Sequence, residues 1–327
     1  MAERARFRVP AGYILCLTLL GAAALSGLYV GDISVTWGEI FRILADAESI
    51  MADEPIKASL IWRIRIPRVF IAAISGAVLA SCGVVFQAVL RNPLSEPYTL
   101  GVAGGASLGA AAAIFFGSHW ITPFAFLGSV VALATVITLG GKDCDEDISG
   151  MILAGVIVGC VMSSGQTLLR VIAGDRLNSI VLRLIGSFST AGLYDMPIMC
   201  VAFLVTIIMN ISFVNELDII SLGDDGLHLG VETGRVKIVL LTGASLAVSI
   251  VVSRFGAIGF VGLVAPHLFR VVYGPSHGRL LLMSSLGGAG LLVAADTFAK
   301  RLNELPVGVL TILVGGSVFC LILWRRR

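Results

Sequence analysis

The residues that most often carry enzyme chemistry are few and scattered in this 327-residue chain. His119, His228, His267 and His277 stand far apart, and no two of them have the i, i+4 spacing that places two metal ligands on one helix face. The sequence contains no GxxxxGK[ST] phosphate-binding loop and no HExxH. Its six cysteines form no CxxC pair, so they suggest neither a disulfide framework nor a zinc site. We therefore predict a chain without catalytic residues, metal ligands or a cofactor of its own.

Composition indicates a membrane protein. Hydrophobic residues make up 57% of the chain and charged residues only 13%, whereas an ordinary soluble domain carries about 25% charged residues. The mean hydropathy is +0.96. The net charge of +2 gives no concentrated basic surface for nucleic acid, so we expect no nucleic-acid partner. We predict an all-α integral membrane protein.

A membrane-spanning helix needs about 20 mostly apolar residues. Ten apolar stretches meet or approach this length, at 11–30, 69–90, 98–117, 120–140, 150–169, 196–214, 238–253, 255–273, 280–295 and 305–324. The first stretch is too long for the apolar region of a signal peptide, which runs to about 15 residues, so we interpret it as an anchored helix. The span interiors carry no charged residue away from their ends, unlike an ion-coupled pump. A transport path of this kind is either passive or driven from elsewhere.

An even number of spans places both termini on one side of the membrane, but Lys and Arg are nearly equal on the two sides and do not fix the orientation. Three hydrophilic segments connect the spans. Residues 31–68 form a predicted external link with a short surface helix at Trp37–Leu44, and 170–195 form a second one. Residues 215–237 form the largest internal loop, which we interpret as two short helices around a glycine turn that dock onto another protein.

Four ordered blocks carry a family resemblance. They are Arg65-Ile66-Pro67-Arg68 with Ser75-Gly76-Ala77; Gln87 with Arg91-Asn92-Pro93-Leu94-Ser95-Glu96-Pro97 and Leu100-Gly101-Val102; Gly256-Ala257-Ile258-Gly259-Phe260-Val261-Gly262-Leu263-Val264-Ala265-Pro266-His267; and Ala295-Asp296-Thr297 with Glu304-Leu305-Pro306-Val307-Gly308. In this order the blocks resemble the FecCD-type permeases, the membrane subunits of ATP-binding-cassette (ABC) importers for iron chelates, haem and cobalamin. The resemblance covers nearly the whole chain.

This resemblance implies a single permease domain over 1–327 with the type II ABC importer fold of about ten helices. It also implies a homodimer with a translocation path along the two-fold axis, two separate ATPases that bind ATP and Mg, and a periplasmic or lipid-anchored binding protein. Both termini would face the cytoplasm of a bacterial or archaeal cell. The cargo would be a ferric siderophore, as our first choice, or haem or cobalamin. The alternatives are a secondary transporter or passive channel, while a membrane enzyme would need convergent catalytic groups.

The resemblance also implies roles for basic residues at the outer mouth. Arg65 and Arg68 match positions that pair with carboxylates of the binding protein, and Lys300 and Arg301 fall near a third such position. The segment from Lys300 to Glu304 is shorter than usual, which leaves open which of the two cations docks. The competing interpretation is that these residues are interfacial anchors whose charges extend toward lipid headgroups.

Two further segments match functional parts of the family. Residues Leu222-Gly223-Asp224-Asp225-Gly226-Leu227-His228-Leu229-Gly230 resemble the coupling helices that contact the ATPase, although their outer glycines are seven rather than eight apart. A plain solvated loop is the alternative. Asn92-Pro93-Leu94 resembles the cytoplasmic gate, where Pro93 disfavours helix at Asn92 and Leu94 supplies an apolar constriction or ordinary packing. We interpret His267 as structural rather than as a cargo ligand.

Overall fold

The computed structural model describes residues 2–45, 54–140, 148–173, 184–223 and 233–325. Within these ranges the chain is helical, apart from connecting segments and one isolated parallel bridge between Ile185 and Ala257. The α-helices in chain order are α1 Ala2–Tyr29, α2 Trp37–Ala45, α3 Pro55–Ser59, α4 Ile66–Val89, α5 Val102–Phe115, α6 Ile121–Leu139, α7 Ile148–Ile172, α8 Met196–Ser212, α9 Val214–Ser221, α10 Thr233–Phe255, α11 Val261–Tyr273, α12 His277–Arg301 and α13 Val307–Arg325.

The described helices confirm the all-α membrane fold with about ten spans. Seven helices are long and apolar enough to cross a membrane, and three shorter apolar helices, Val102–Phe115, Val261–Tyr273 and Val307–Ser317, fall at the remaining predicted spans. The predicted eighth span, 255–273, is interrupted, because residues 256–260 form a non-helical segment before α11 begins at Val261. Phe260 ends this segment with a left-handed φ of 67°.

The second span begins earlier than the sequence predicts. Helix α3 leads into a wide π-helical turn over Leu60–Arg65, which continues directly into α4. In this turn the Ile66 amide bonds to the carbonyl of Ile61, five residues back. The turn lies just before Pro67, which has no N–H to donate and whose ring crowds the carbonyl four residues earlier. A wider turn accommodates the proline without breaking the helix, so the predicted link over 31–68 is helical from Pro55 onward.

Helix α2 occupies the place predicted for a short surface helix and packs onto this extension. Ile40 and Ile43 of α2 form a small apolar cluster with Val35 and Ile61. Lys57 of α3 pairs with Glu39 of α2 at 2.5 Å. The pKa of the Glu39 carboxyl is lowered to about 2, mainly by the hydrogen bond from Lys57 and to a smaller extent by those from Thr36. The described part of the link is therefore an ordered platform at one end of the bundle.

Close helix packing around α4 depends on glycine. Helices α4 and α12 run antiparallel, and a Cβ on Gly76 of α4 would collide with the backbone of Gly288 in α12. One turn and a half further on, Ser81 and Ser285 share a hydrogen bond of 2.6 Å between their hydroxyls. On another face of α4, a Cβ on Gly83 would collide with the carbonyl of Gly262 in α11. Small residues permit such backbone contact in lipid, where van der Waals packing drives helix association.

We predict that Gly83→Ala lowers thermal stability, because the added methyl group has no space and overpacking costs about 1–3 kcal/mol. The control is Gly21→Ala in α1, where a Cβ meets nothing within 4 Å. Thermal unfolding of the purified protein in detergent measures both variants. Equal melting temperatures for Gly83→Ala and Gly21→Ala would contradict the packing described here.

Candidate functional site

A buried arginine lies between two carboxylates where the C-terminus of α1, the N-terminus of α4 and the C-terminus of α12 meet; we call this the Arg68 end. The Arg68 guanidinium donates from Nε and Nη2 to the two oxygens of Asp296, each at 2.9 Å. Its Nη1 and Nη2 donate to the two oxygens of Glu304, at 2.9 and 2.6 Å. The side chains of Arg68 and Asp296 are 7% and 3% exposed, but that of Glu304 is 41% exposed. All of these contacts are charge-assisted, the stronger class of hydrogen bond.

The other three basic residues predicted to dock differ in burial. Arg65 is buried and donates to the backbone carbonyls of Leu28, Tyr29 and Ile33. Lys300 is buried too, 3.2 Å from the Gly27 carbonyl and 3.7 Å from Asp296. Arg301 is exposed. Three of the four cations therefore hold α1, α4 and α12 together, and their docking role stays a prediction.

Sequence reasoning assigned no role to Asp296 and Glu304, although both lie in the blocks that carry the resemblance. The ninth predicted span stopped at 295, whereas α12 continues to Arg301 and takes Asp296 into its buried face. Lys300 follows Asp296 by four residues, a spacing that places opposite charges on one helix face. That spacing was the one signal in the sequence for the acidic partner.

The opposite end of the bundle carries a second polar junction, which we call the Asp218 end. One carboxylate oxygen of Asp218, in α9, accepts hydrogen bonds from the backbone N–H of His277 at 2.9 Å and from its Nδ1 at 2.7 Å. His277 begins α12, so the carboxylate satisfies an N–H that has no partner within the helix. Leu217 and Ile220 bury the other face of α9. The short helix is thereby fixed to α12.

The predicted coupling segment starts at this junction. Leu222 is 59% exposed, and Gly223 has a left-handed φ of 70° that favours glycine. A Cβ on Gly223 would lie 2.6 Å from Nη1 of Arg91, so the glycine also permits close approach of that side chain. Helix α9 lies where the first of the two predicted short helices was expected, and its coupling role stays a prediction. The remaining coupling residues, Asp224 to Gly230, lie outside the described residues.

The predicted gate segment follows the end of α4 at the same end of the bundle. Helix α4 ends at Val89, before Pro93, as the sequence predicts. The turn is held by hydrogen bonds from the Asn92 amide to the Gln87 carbonyl at 3.1 Å and from the Leu94 amide to the Asn92 side chain at 2.9 Å. Leu94 is 40% exposed. The gate role of this partly exposed leucine stays a prediction.

A carboxylate that the sequence placed in a link is buried. Glu96 is 9% exposed, and its Oε2 accepts a hydrogen bond of 3.2 Å from the backbone of Phe260, just before α11 begins. Gln87 donates to the Gly262 carbonyl at 3.3 Å. The first bond joins the two non-helical segments, 90–101 and 256–260, and the second joins α4 to α11. Both satisfy backbone groups that lipid would leave without partners. His267 is buried within α11, which fits a structural role.

Helix α7 presents a polar stripe away from the core. Cys160, Ser163, Ser164 and Thr167 follow i, i+3, i+4, i+7 spacing, line one shallow groove and are all exposed. Ser164 and Thr167 return hydrogen bonds to carbonyls of their own helix, at 2.9 and 3.0 Å. The outward face of α7 is therefore more polar than a face that only contacts lipid.

Comparison with known proteins places this chain among transport permeases. It is 32% identical to the hemin transport system permease protein HmuU of Yersinia pestis, over 100% of this chain and 98% of that protein. The cobalamin import system permease protein BtuC of Halobacterium salinarum is 35% identical over 82% of this chain and 74% of its own length. The molybdate import system permease protein MolB of Haemophilus influenzae is 32% identical, with 94% of each chain covered.

A solved structure shows the same fold. It is an inward-facing conformation of an ABC transporter assigned to the metal-chelate type, with a TM-score of 0.83 and 29% sequence identity over 97% of this chain and 99% of that one. The FecCD transport family matches residues 17–325, nearly the entire sequence. The resemblance found in the four sequence blocks is confirmed. The chain belongs to the FecCD transport family of ABC transporter permease subunits.

Proposed function

We propose that this permease subunit imports a metal chelate or tetrapyrrole, with a ferric siderophore as first choice and haem or cobalamin as the other candidates. It would act as a homodimer with two ATPase subunits and a substrate-binding protein. The observation that carries the proposal is that the bundle has a polar junction at each of its two ends, both attached to α12. One end gathers the cations predicted to dock, and the other bears the start of the coupling segment. The permeases named for hemin and cobalamin support the choice of cargo.

We assign the Arg68 end to the outside and the Asp218 end to the cytoplasm, because the coupling segment has to meet cytoplasmic ATPases. Helix α1 reaches the Arg68 end with its C-terminus, where Gly27 contacts Lys300. Helix α13 starts near that end, since the Gly308 amide bonds to Gly186 and Glu304 precedes it by a few residues. Both chain termini then point toward the cytoplasmic side. This arrangement supports the proposed cytoplasmic termini in the inner membrane.

The polar stripe on α7 supports a path shared by two copies. Hydroxyl and thiol groups on a spanning helix are favourable where they face water or another protein, and less so against lipid tails. Cys160 begins this stripe and lies near the middle of α7. We propose that this face of α7 borders the translocation path of the dimer, where small polar side chains line the way for cargo without binding it tightly.

Uptake into proteoliposomes tests the function directly. We expect one cargo among a ferric siderophore, haem, cobalamin and molybdate to accumulate only when permease, ATPase and binding protein are present with ATP. The chain has no phosphate-binding loop and takes its energy from the ATPase. A matched control uses the same complex with an ATPase variant that binds but does not hydrolyse ATP. Uptake without the ATPase would favour the secondary transporter or channel instead.

Thiol labelling tests the path assignment. In reconstituted permease with Cys160 as its one cysteine, we expect rapid reaction with a charged, membrane-impermeant thiosulfonate, because the thiol ionises only where water reaches it. The control keeps only Cys82, which is fully buried in α4. Binding-protein capture and ATP should change the Cys160 rate. A rate as slow as that of Cys82 in every state would remove α7 from the path.

A further inference from the structure

Arg68 uses four of its five N–H groups on two carboxylates, and these partners differ in kind. Asp296 lies inside α12 with 3% of its side chain exposed, whereas Glu304 lies on the connection between α12 and α13 with 41% exposed. Asp296 holds the Nε edge of the guanidinium and Glu304 the edge formed by the two terminal nitrogens. The partner on the solvent side is therefore the one that another molecule can replace.

The backbone around Glu304 is held in an unfavourable conformation. Asn303 and Glu304 are consecutive residues with left-handed φ angles of 55° and 58°. Residues other than glycine adopt this region infrequently, and such strain persists where surrounding contacts impose it. The bidentate contact with Arg68 is one such contact, beside the backbone hydrogen bonds from the amides of Leu302 and Leu305 to the Ala299 carbonyl, both 3.1 Å. If Arg68 is offered another carboxylate, the Glu304 side chain no longer fixes the connection, and relaxation of this strain offsets part of the lost pairing.

The surface next to this contact is cationic. Arg301 is exposed one turn beyond the Arg68–Asp296 pair, and Arg63 is exposed on the π-helical turn before α4. A partner that presents carboxylates finds Arg301 available at once, and Arg68 only through exchange with Glu304. Planar guanidinium groups pair with carboxylates in a two-point geometry, so an incoming Asp or Glu makes the same two bonds that Glu304 makes.

We propose that Glu304 is a positioning residue that occupies the docking face of Arg68 until a carboxylate of the substrate-binding protein exchanges with it. The proposal rests on the function proposed above and deepens it. Asp296 remains bonded throughout, so Arg68 keeps its place in the bundle while its outer edge changes partner. Docking thereby removes the side-chain tie between Arg68 and the connection from α12 to α13, residues 302–306, whose backbone bonds to Ala299 remain. A contact made outside the membrane loosens in this way the connection between two spans.

The test measures capture of the cognate binding protein by permease–ATPase complexes in nanodiscs. We expect Glu304→Gln to tighten capture by about threefold or more, mainly through faster association, because it removes the competing charge and keeps the side-chain shape. Asp296→Asn is the matched control, since it removes one negative charge from the same guanidinium but at its buried edge. That variant should lose thermal stability and not gain affinity.

Each outcome decides one statement. If a folded Glu304→Gln complex captures the binding protein no better than the unmodified complex, the exchange is overturned. If Asp296→Asn tightens capture as much as Glu304→Gln does, the gain comes from net charge alone and the exchange is overturned as well. If the Gln variant unfolds early, Glu304→Asp gives the second reading, because its shorter carboxylate pairs less well with Arg68 and should also tighten capture. If the unmodified complex captures no binding protein at low salt, the proposed function fails, and the exchange with it.

Discussion

The structure depends on the contact between α4 and α12. Gly76 and Gly288 bring the two backbones together without room for a methyl group, and the Arg68–Asp296 pair closes the same interface at one end. The ion pair depends on the close packing, because a buried arginine is tolerated only where its charge is paired and bonded, and the packing brings Asp296 of α12 to Arg68 of α4. Helix α1 joins through Gly27, which contacts Lys300, and α11 joins through Gly262, which contacts Gly83.

This helix pair gives the two functional ends a common frame. Helix α12 has 25 residues and so spans about 37 Å from His277 to Arg301 at about 1.5 Å per residue. Asp218 fixes α9, and with it the start of the coupling segment, to one end of α12. The Arg68 cluster occupies the other end. Under the orientation proposed above, a rigid pair would pass movement of the ATPases to the outer mouth as a displacement of both helices together.

Hydropathy and turn chemistry were sufficient for the outline of the fold. They located the ten apolar stretches, the short helix at Trp37 and the break before Pro93, since each depends on local composition. They did not find the helix over Pro55–Arg65 or the burial of Glu96 and Asp296, because these depend on partners distant in sequence. The cations assigned to docking show the same limit, since charge at a helix end does not reveal whether Arg65 binds its own chain or another protein.

A disulfide between α4 and α12 tests most directly whether the pair moves as one unit. The hydroxyls of Ser81 and Ser285 are 2.6 Å apart, so Ser81→Cys with Ser285→Cys, in a chain without its native cysteines, places two thiols in contact. Uptake by the oxidised double variant is compared with uptake after reduction and with both single variants. We predict that the locked pair transports at an undiminished rate. Loss of ATP-driven uptake on oxidation, restored by reduction, would show that α4 and α12 slide past each other and would contradict it.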